Sequence, residues 1–187
     1  IVLTAQVRAA LSIQSDSDSM TPSELISHIL RAEVGLLWNG GIGTYVKSAS
    51  ESNSHVGDKA NDSVRVDGRE LRCLVVGEGG NLGFTQLGRI EAARNGVRLN
   101  TDAIDNSAGV DTSDHEVNIK ILLNNLGSAA LDEADRVALL ATMTDEVGQQ
   151  VLQDNYRQNV ILQQSRAHAA SMLPVHERLM AALESSG

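Results

Sequence analysis

Three short apolar runs, Val34 to Trp38, Leu71 to Val76 and Val97 to Thr101, each lead into a segment rich in glycine or asparagine. This repeated ending constrains the fold more than any other feature of the chain. Apolar runs of this length without polar alternation read as strands buried on both faces, the habit of parallel sheets. The following segments are Asn39-Gly40-Gly41-Ile42-Gly43, Gly77-Glu78-Gly79-Gly80-Asn81-Leu82-Gly83 and Asn106-Ser107-Ala108-Gly109. They then fall beyond the carboxyl ends of the strands, where open parallel sheets bind ligands.

Helical signals fill the spaces between. Residues 1–13 carry apolar positions at helical spacing, and Ser15 to Ser19 reads as a loop. Thr21-Pro22-Ser23-Glu24 offers a hydroxyl cap, a proline at the first helical position and a glutamate three residues after the cap, which predicts a helix to about Arg31. Residues 47–63 read as surface loop, and Gln86 to Arg94 as helix. From Ser113 onward the periodicity is helical throughout, with Pro174 expected to break a long helix before a short last one from Val175 to Leu183. With right-handed crossovers, this order predicts an α/β fold: part of a Rossmann-like parallel sheet covered by helices, followed by an all-helical C-terminal segment. The expected division is 1–126 and 127–187.

Composition excludes several classes of function. Aromatic residues make up 2% of the chain, so the core must be built from Leu, Val, Ile and Ala. A net charge of −9 without a Lys/Arg cluster argues against nucleic acid or an anionic membrane as partner. No stretch approaches the roughly 18 apolar residues of a membrane span. The single Cys73 sits in an apolar run with no disulfide partner, as expected of a packing residue in a reducing, cytoplasmic setting. The chain starts with Ile1 inside a helix-like run, which reads as a cut edge preceded by further sequence.

Two segments could carry chemistry. Gly77-x-Gly79 after a strand suggests a dinucleotide fingerprint, but the third glycine should fall at position 82, which is leucine, so a simple glycine turn competes. In the segment from Asn106 to Glu116, Ser113 and Glu116 have the spacing of a helix cap and its capping-box partner. The same hydroxyl and amide groups at a helix N-terminus could instead hold an anion. Asp102, Asp105, Asp111 and Asp114 surround them without a visible cation. No histidine pair has zinc-ligand spacing, so no metal site is expected.

Leu36 to Val46 (LLWNGGIGTYV), Val75 to Gly83 (VVGEGGNLG), Leu99 to Leu122 (LNTDAIDNSAGVDTSDHEVNIKIL) and Met143 to Tyr156 (MTDEVGQQVLQDNY) together resemble the large bacterial NAD-specific glutamate dehydrogenases, over essentially the whole chain. The resemblance implies oxidative deamination of L-glutamate to 2-oxoglutarate and ammonia, with NAD as cofactor, in a full-length enzyme expected to be a homo-oligomer. The shorter glutamate dehydrogenases carry Gly-Ala-Asn and Asn-Ala-Gly-Gly-Val motifs, the second followed by serine. Here these are similar to Gly79-Gly80-Asn81 and to Asn106-Ser107-Ala108-Gly109-Val110 with Ser113. By that resemblance Asn81 and Asn106 contact the nicotinamide-ribose end of NAD, Asn39 and Gly40 lie against the nicotinamide, and Ser113 holds the glutamate side-chain carboxylate. The family's catalytic Lys and Asp and its phosphate loop would precede residue 1. Neither Lys47 nor Lys59 matches the lysine motif, so no catalytic residue is expected in this chain.

Three classes of function are therefore weighed. The first is a dehydrogenase fragment, inactive alone; the second, a non-catalytic nucleotide- or anion-binding module; the third, a helical interaction domain with merely structural glycine turns. Three strand-like runs with similar polar endings count against the third.

Overall fold

The computed structural model describes residues 1–127 and 131–187. The chain opens with helix α1 (Ala5–Leu11), capped by the Thr4 hydroxyl, which accepts from Val7 N. The Arg8 guanidinium donates to the carbonyls of Ser15 and Ser17, which pins the serine-rich loop. Helix α2 (Pro22–Leu30) has the capping box that its sequence predicts: Glu24 N donates to Thr21 Oγ1 and Thr21 N to Glu24 Oε2.

Strand β1 (Leu36–Asn39) pairs in parallel with β4 (Val75–Glu78), Leu36 opposite Val75 and Asn39 opposite Glu78. A second parallel pair joins β2 (Val46–Lys47) to β3 (Val66–Asp67). The run from Val97 contributes less than expected: only Arg98 bridges to Val75, donating from its amide to Leu74 O and accepting from Val76 N. The chain then bends through Asn100 and Thr101 into a short helix, so no longer ladder forms.

Residues 47–63, expected as surface loop, are instead built around an arginine. They contain helix α3 (Asn53–Val56) and a 3-10 turn at Lys59–Asn61. The Arg65 side chain is fully buried beneath them, with Nε donating to Thr44 O (2.8 Å) and Nη1 to Asn53 Oδ1 (2.9 Å). A guanidinium offers five donors in a fixed fork, and here it supplies the pairing that a sheet would otherwise give this irregular backbone.

Helix α4 (Gln86–Arg94) starts at the Thr85 cap and lays Ala92 against the core, where Leu37, Val46, Val66, Val76, Phe84 and Val97 meet. Only one face of the β1–β4 pair is covered: Leu37 and Val76 are buried, whereas Leu36, Trp38 and Val75 on the alternate positions are exposed. The expected sheet, with helices over both faces, is thus half present among the described residues.

Among the described residues, α5 (Asp102–Asp105), α6 (Ser107–Asn124) and α7 (Glu133–Ser186) follow. The last is continuous over 54 residues with Pro174 inside it, so the expected break does not occur. A proline removes one backbone hydrogen bond and crowds the preceding turn, and the turns on either side absorb that loss. The chain packs as two compact units, Ile1–Ser107 and Ala108–Gly187. Among the described residues, no helix is long and apolar enough to cross a membrane.

Candidate functional site

The site is a rim at the carboxyl ends of β1 and β4. Strand β4 runs two residues further than the apolar run suggests and ends on Glu78, which is completely buried. A buried carboxylate must be paired. Arg89, one turn into α4, meets it with Nε to Oε1 (2.6 Å) and Nη2 to Oε2 (3.0 Å), and reaches on to Asp102 Oδ1 (3.0 Å). Burial pushes the Glu78 carboxyl above its ordinary range, against the pull of the Arg89 guanidinium. Glu78 in turn holds the Arg89 proton more firmly than usual.

The glycine turn after Glu78 is fixed from below by two carboxylates. Asp105 Oδ2 accepts from Glu78 N (2.9 Å), and Asp102 Oδ2 accepts from Leu82 N (2.8 Å). Leu82 occupies the place of the third fingerprint glycine and has φ +58°, the left-handed region that favours glycine. Its carbonyl accepts from Thr44 Oγ1 (2.8 Å), so hydrogen bonds on both sides hold it there. The two carboxylates take amide donors that a pyrophosphate would need, and the one nearby guanidinium is already shared between Glu78 and Asp102. These engaged amides count against a phosphate cradle here and against the fingerprint reading of Gly77-x-Gly79.

The polar turns expected to converge do so within residues 1–107. Gly80 N donates to Asn39 O (3.0 Å), which brings the second glycine turn onto the end of β1. A methyl group on Gly80 would strike Gly41 O, and one on Gly83 would strike Asn39 Nδ2, so both positions require glycine for close approach. The Trp38 indole lies over Gly77 and Gly79 in the same way, beside Gly40. Asn106, at the end of α5, donates through Nδ2 to Asn81 Oδ1. Asn39 Oδ1 accepts from Gly41 N (3.1 Å), while Asn39 Nδ2 is buried and has no partner among the described residues. An orphaned buried amide donor costs about 1–3 kcal/mol, and a ligand acceptor at this position would remove that penalty.

Ser113 is placed differently from expectation. It is an exposed residue inside α6, which starts six residues earlier at Ser107, and so it caps nothing. Glu116, its supposed capping-box partner, pairs with Lys120 one turn on (2.5 Å). A Ser-x-x-Glu spacing occurs inside helices as readily as at their starts, and here the true start lies behind it. The helix N-terminus of the anion-site reading lies at Ser107, six residues before Ser113.

Sequence reasoning did not single out Glu78 or Arg89, nor did it give Asp102 and Asp105 their roles as amide acceptors. A glutamate among glycines at a strand end, followed by an arginine in the next helix, is the only local trace of that network. A spacing argument confined to histidine pairs also overlooked Asp111, His115 and Asp154, whose ligand atoms lie within 4.8 Å of one another in the helical unit. Cys73 is buried and free, as expected, and burial pushes its thiol up.

Comparison with known proteins adds the decisive observation. The profile of the bacterial NAD-glutamate dehydrogenase catalytic domain matches residues 1–165. The chain belongs to this family. The NAD-specific glutamate dehydrogenase of Mycobacterium tuberculosis is 60% identical over 181 residues, covering 94% of this chain and 11% of that protein. Those of Pseudomonas aeruginosa and Halomonas elongata are 54% and 53% identical over 188 residues, covering all of this chain and 12% of each protein. The chain thus spans about one eighth to one ninth of the relatives' length, and its residues 1–165 match the family's catalytic domain.

Proposed function

We propose that this chain supplies the nicotinamide-facing wall of an NAD-dependent glutamate dehydrogenase that oxidatively deaminates L-glutamate to 2-oxoglutarate and ammonia. Residues 1–126 would be the later part of a Rossmann-like nucleotide-binding catalytic domain, and 127–187 a helical segment attached to it. The observation that carries the reading is the convergence of Asn39, Gly80, Asn81 and Asn106 at one strand-end rim, with the buried Asn39 amide left without an acceptor among the described residues. The bare face of the β1–β4 pair, presenting Leu36, Trp38 and Val75, supports membership of a wider sheet, since parallel sheets are buried on both faces.

The residues fit the nicotinamide-ribose end of the cofactor better than its phosphates. Asn39 Nδ2 is a donor suited to a carboxamide or hydroxyl oxygen, and the Asn81–Asn106 pair can present one further donor and one further acceptor. Gly79 and Gly80, packed close to the Trp38 indole and Gly41 O, would line the cofactor site with backbone alone, and Gly40 would lie against the nicotinamide. Bound NAD would supply the hydride acceptor. This chain's part is to orient it, which holds reacting carbons in line and near contact. Ser113 would contact the substrate carboxylate from α6. The chain contributes no acid or base. A free-standing anion-binding module fits less well, because the Glu78 and Leu82 amides already serve Asp105 and Asp102. The complete enzyme is read as a cytoplasmic homo-oligomer.

In the complete enzyme, Asn39→Ala and Asn81→Ala should each raise the KM for NAD about five- to ten-fold with little change for glutamate, the equivalent of one lost hydrogen bond. Ser113→Ala should do the reverse. Steady-state kinetics with both substrates varied reads this directly. Unchanged NAD dependence in both asparagine variants would remove the rim from the cofactor site.

A further inference from the structure

The helical unit holds a group of donors that the dehydrogenase reading does not use. Asp111 and His115 stand one turn apart on α6, and Asp154 approaches them from α7, all three half-buried. His115 Nε2 lies 3.8 Å from Asp111 Oδ1. That gap exceeds a hydrogen bond, and neither side chain makes any other among the described residues. Two ligand atoms that share one ion at about 2.1 Å stand roughly 3–4 Å apart, so the gap has the width of a bridging cation.

The surrounding seam also carries a surplus of acceptors. Asp154 receives the exposed Arg157 at Oδ1 (3.2 Å), which leaves the carboxylate further lone pairs. Asp111 and Asp154 thus offer several oxygen acceptors against a single guanidinium. A positive charge at their centre would complete the seam.

We infer that Asp111, His115 and Asp154 form a binding site for a divalent transition cation of the zinc or cobalt class. An imidazole with two carboxylates favours such ions, whereas magnesium and calcium favour all-oxygen shells. Three protein ligands leave at least one position for water. The ion would tie α6 to α7 within the helical unit. The site uses none of the rim residues, and its argument does not rest on the dehydrogenase reading.

The test uses the untagged 187-residue chain, stripped with chelator and titrated calorimetrically with Zn²⁺, then with Co²⁺ followed by visible absorption. One ion should bind per chain. His115→Ala and Asp154→Asn should each weaken binding about ten-fold or more, while Asp114→Asn, at an exposed neighbouring position, should leave it unchanged. A second measurement needs no variant: in a long-range ¹H–¹⁵N spectrum of the wild-type chain, Zn²⁺ should shift the ring nitrogens of His115. The inference is overturned by any of four results: no saturable binding up to about 1 mM Zn²⁺, undiminished affinity in His115→Ala, ring shifts confined to the other histidines, or Mg²⁺ competing on equal terms.

Discussion

Residues 1–107 and residues 108–187 satisfy their polar groups by opposite means. In the first unit the ladders are two to four residues long, and side chains do much of the pairing: Arg65 serves Thr44 O, Arg89 serves Glu78 and Asp102, and Asp102 and Asp105 serve turn amides. In the second, α6 and α7 pair their own backbones, and Val151 is the one buried residue of α7 among those described. The first unit gains precision from non-local contacts and is vulnerable wherever one is cut. The second gains length from local ones and tolerates surface change, because no single partner decides its backbone.

The largest effect should come from cutting the first kind of contact. Arg89→Met leaves Glu78 buried and unpaired and should destabilise the first unit by about 3–5 kcal/mol in urea denaturation followed by circular dichroism, with Glu78→Gln restoring part of the loss when combined. If Arg89→Met cost no more than an ordinary surface change, the contrast between the units would fail. Pro174→Ala probes the other side. It should stabilise the helix of the second unit by up to about 3 kcal/mol, seen as a higher melting midpoint, and leave amide exchange in 1–107 unaltered.

Smaller effects sharpen the comparison. Leu82→Gly should stabilise the first unit by about 1 kcal/mol, because it relieves a left-handed φ at an exposed side chain; a loss of stability would mean that Leu82 packs in a way its exposure does not suggest. The smallest effect concerns pH. The Thr44 amide, donating to Asp58, holds that carboxyl below its ordinary 3.8. A depressed folded value means that the contribution is present above 3.8 and is lost as pH falls through the lower folded value. Asp58→Asn should therefore lower the melting temperature near pH 7 and flatten its fall below about pH 4, measured by thermal scans across that range.

This division also explains what could be read from the amino-acid sequence. The α2 capping box and the bounds of α4 were legible because their signals lie within four residues of one another. The convergence of Asn39 with the second glycine turn followed from strand order alone. The Glu78–Arg89–Asp102 network was not legible, because its members are ordinary residues made special only by meeting across the fold. Ser113 and Pro174 failed for a different reason: a cap motif and a helix breaker are local rules, and in α6 and α7 the length of uninterrupted helix on either side outweighs them. The run from Val97 has strand composition but meets a neighbour only at Arg98, and no composition reports that.

The indole of Trp38, the chain's single tryptophan, rests on Gly77 and Gly79 at the strand-end rim and is largely open to solvent. Its emission is therefore a native optical reporter placed beside the asparagines of interest. A molecule settling on that rim would change the colour and intensity of one fluorophore, so occupancy can be followed without attaching a dye.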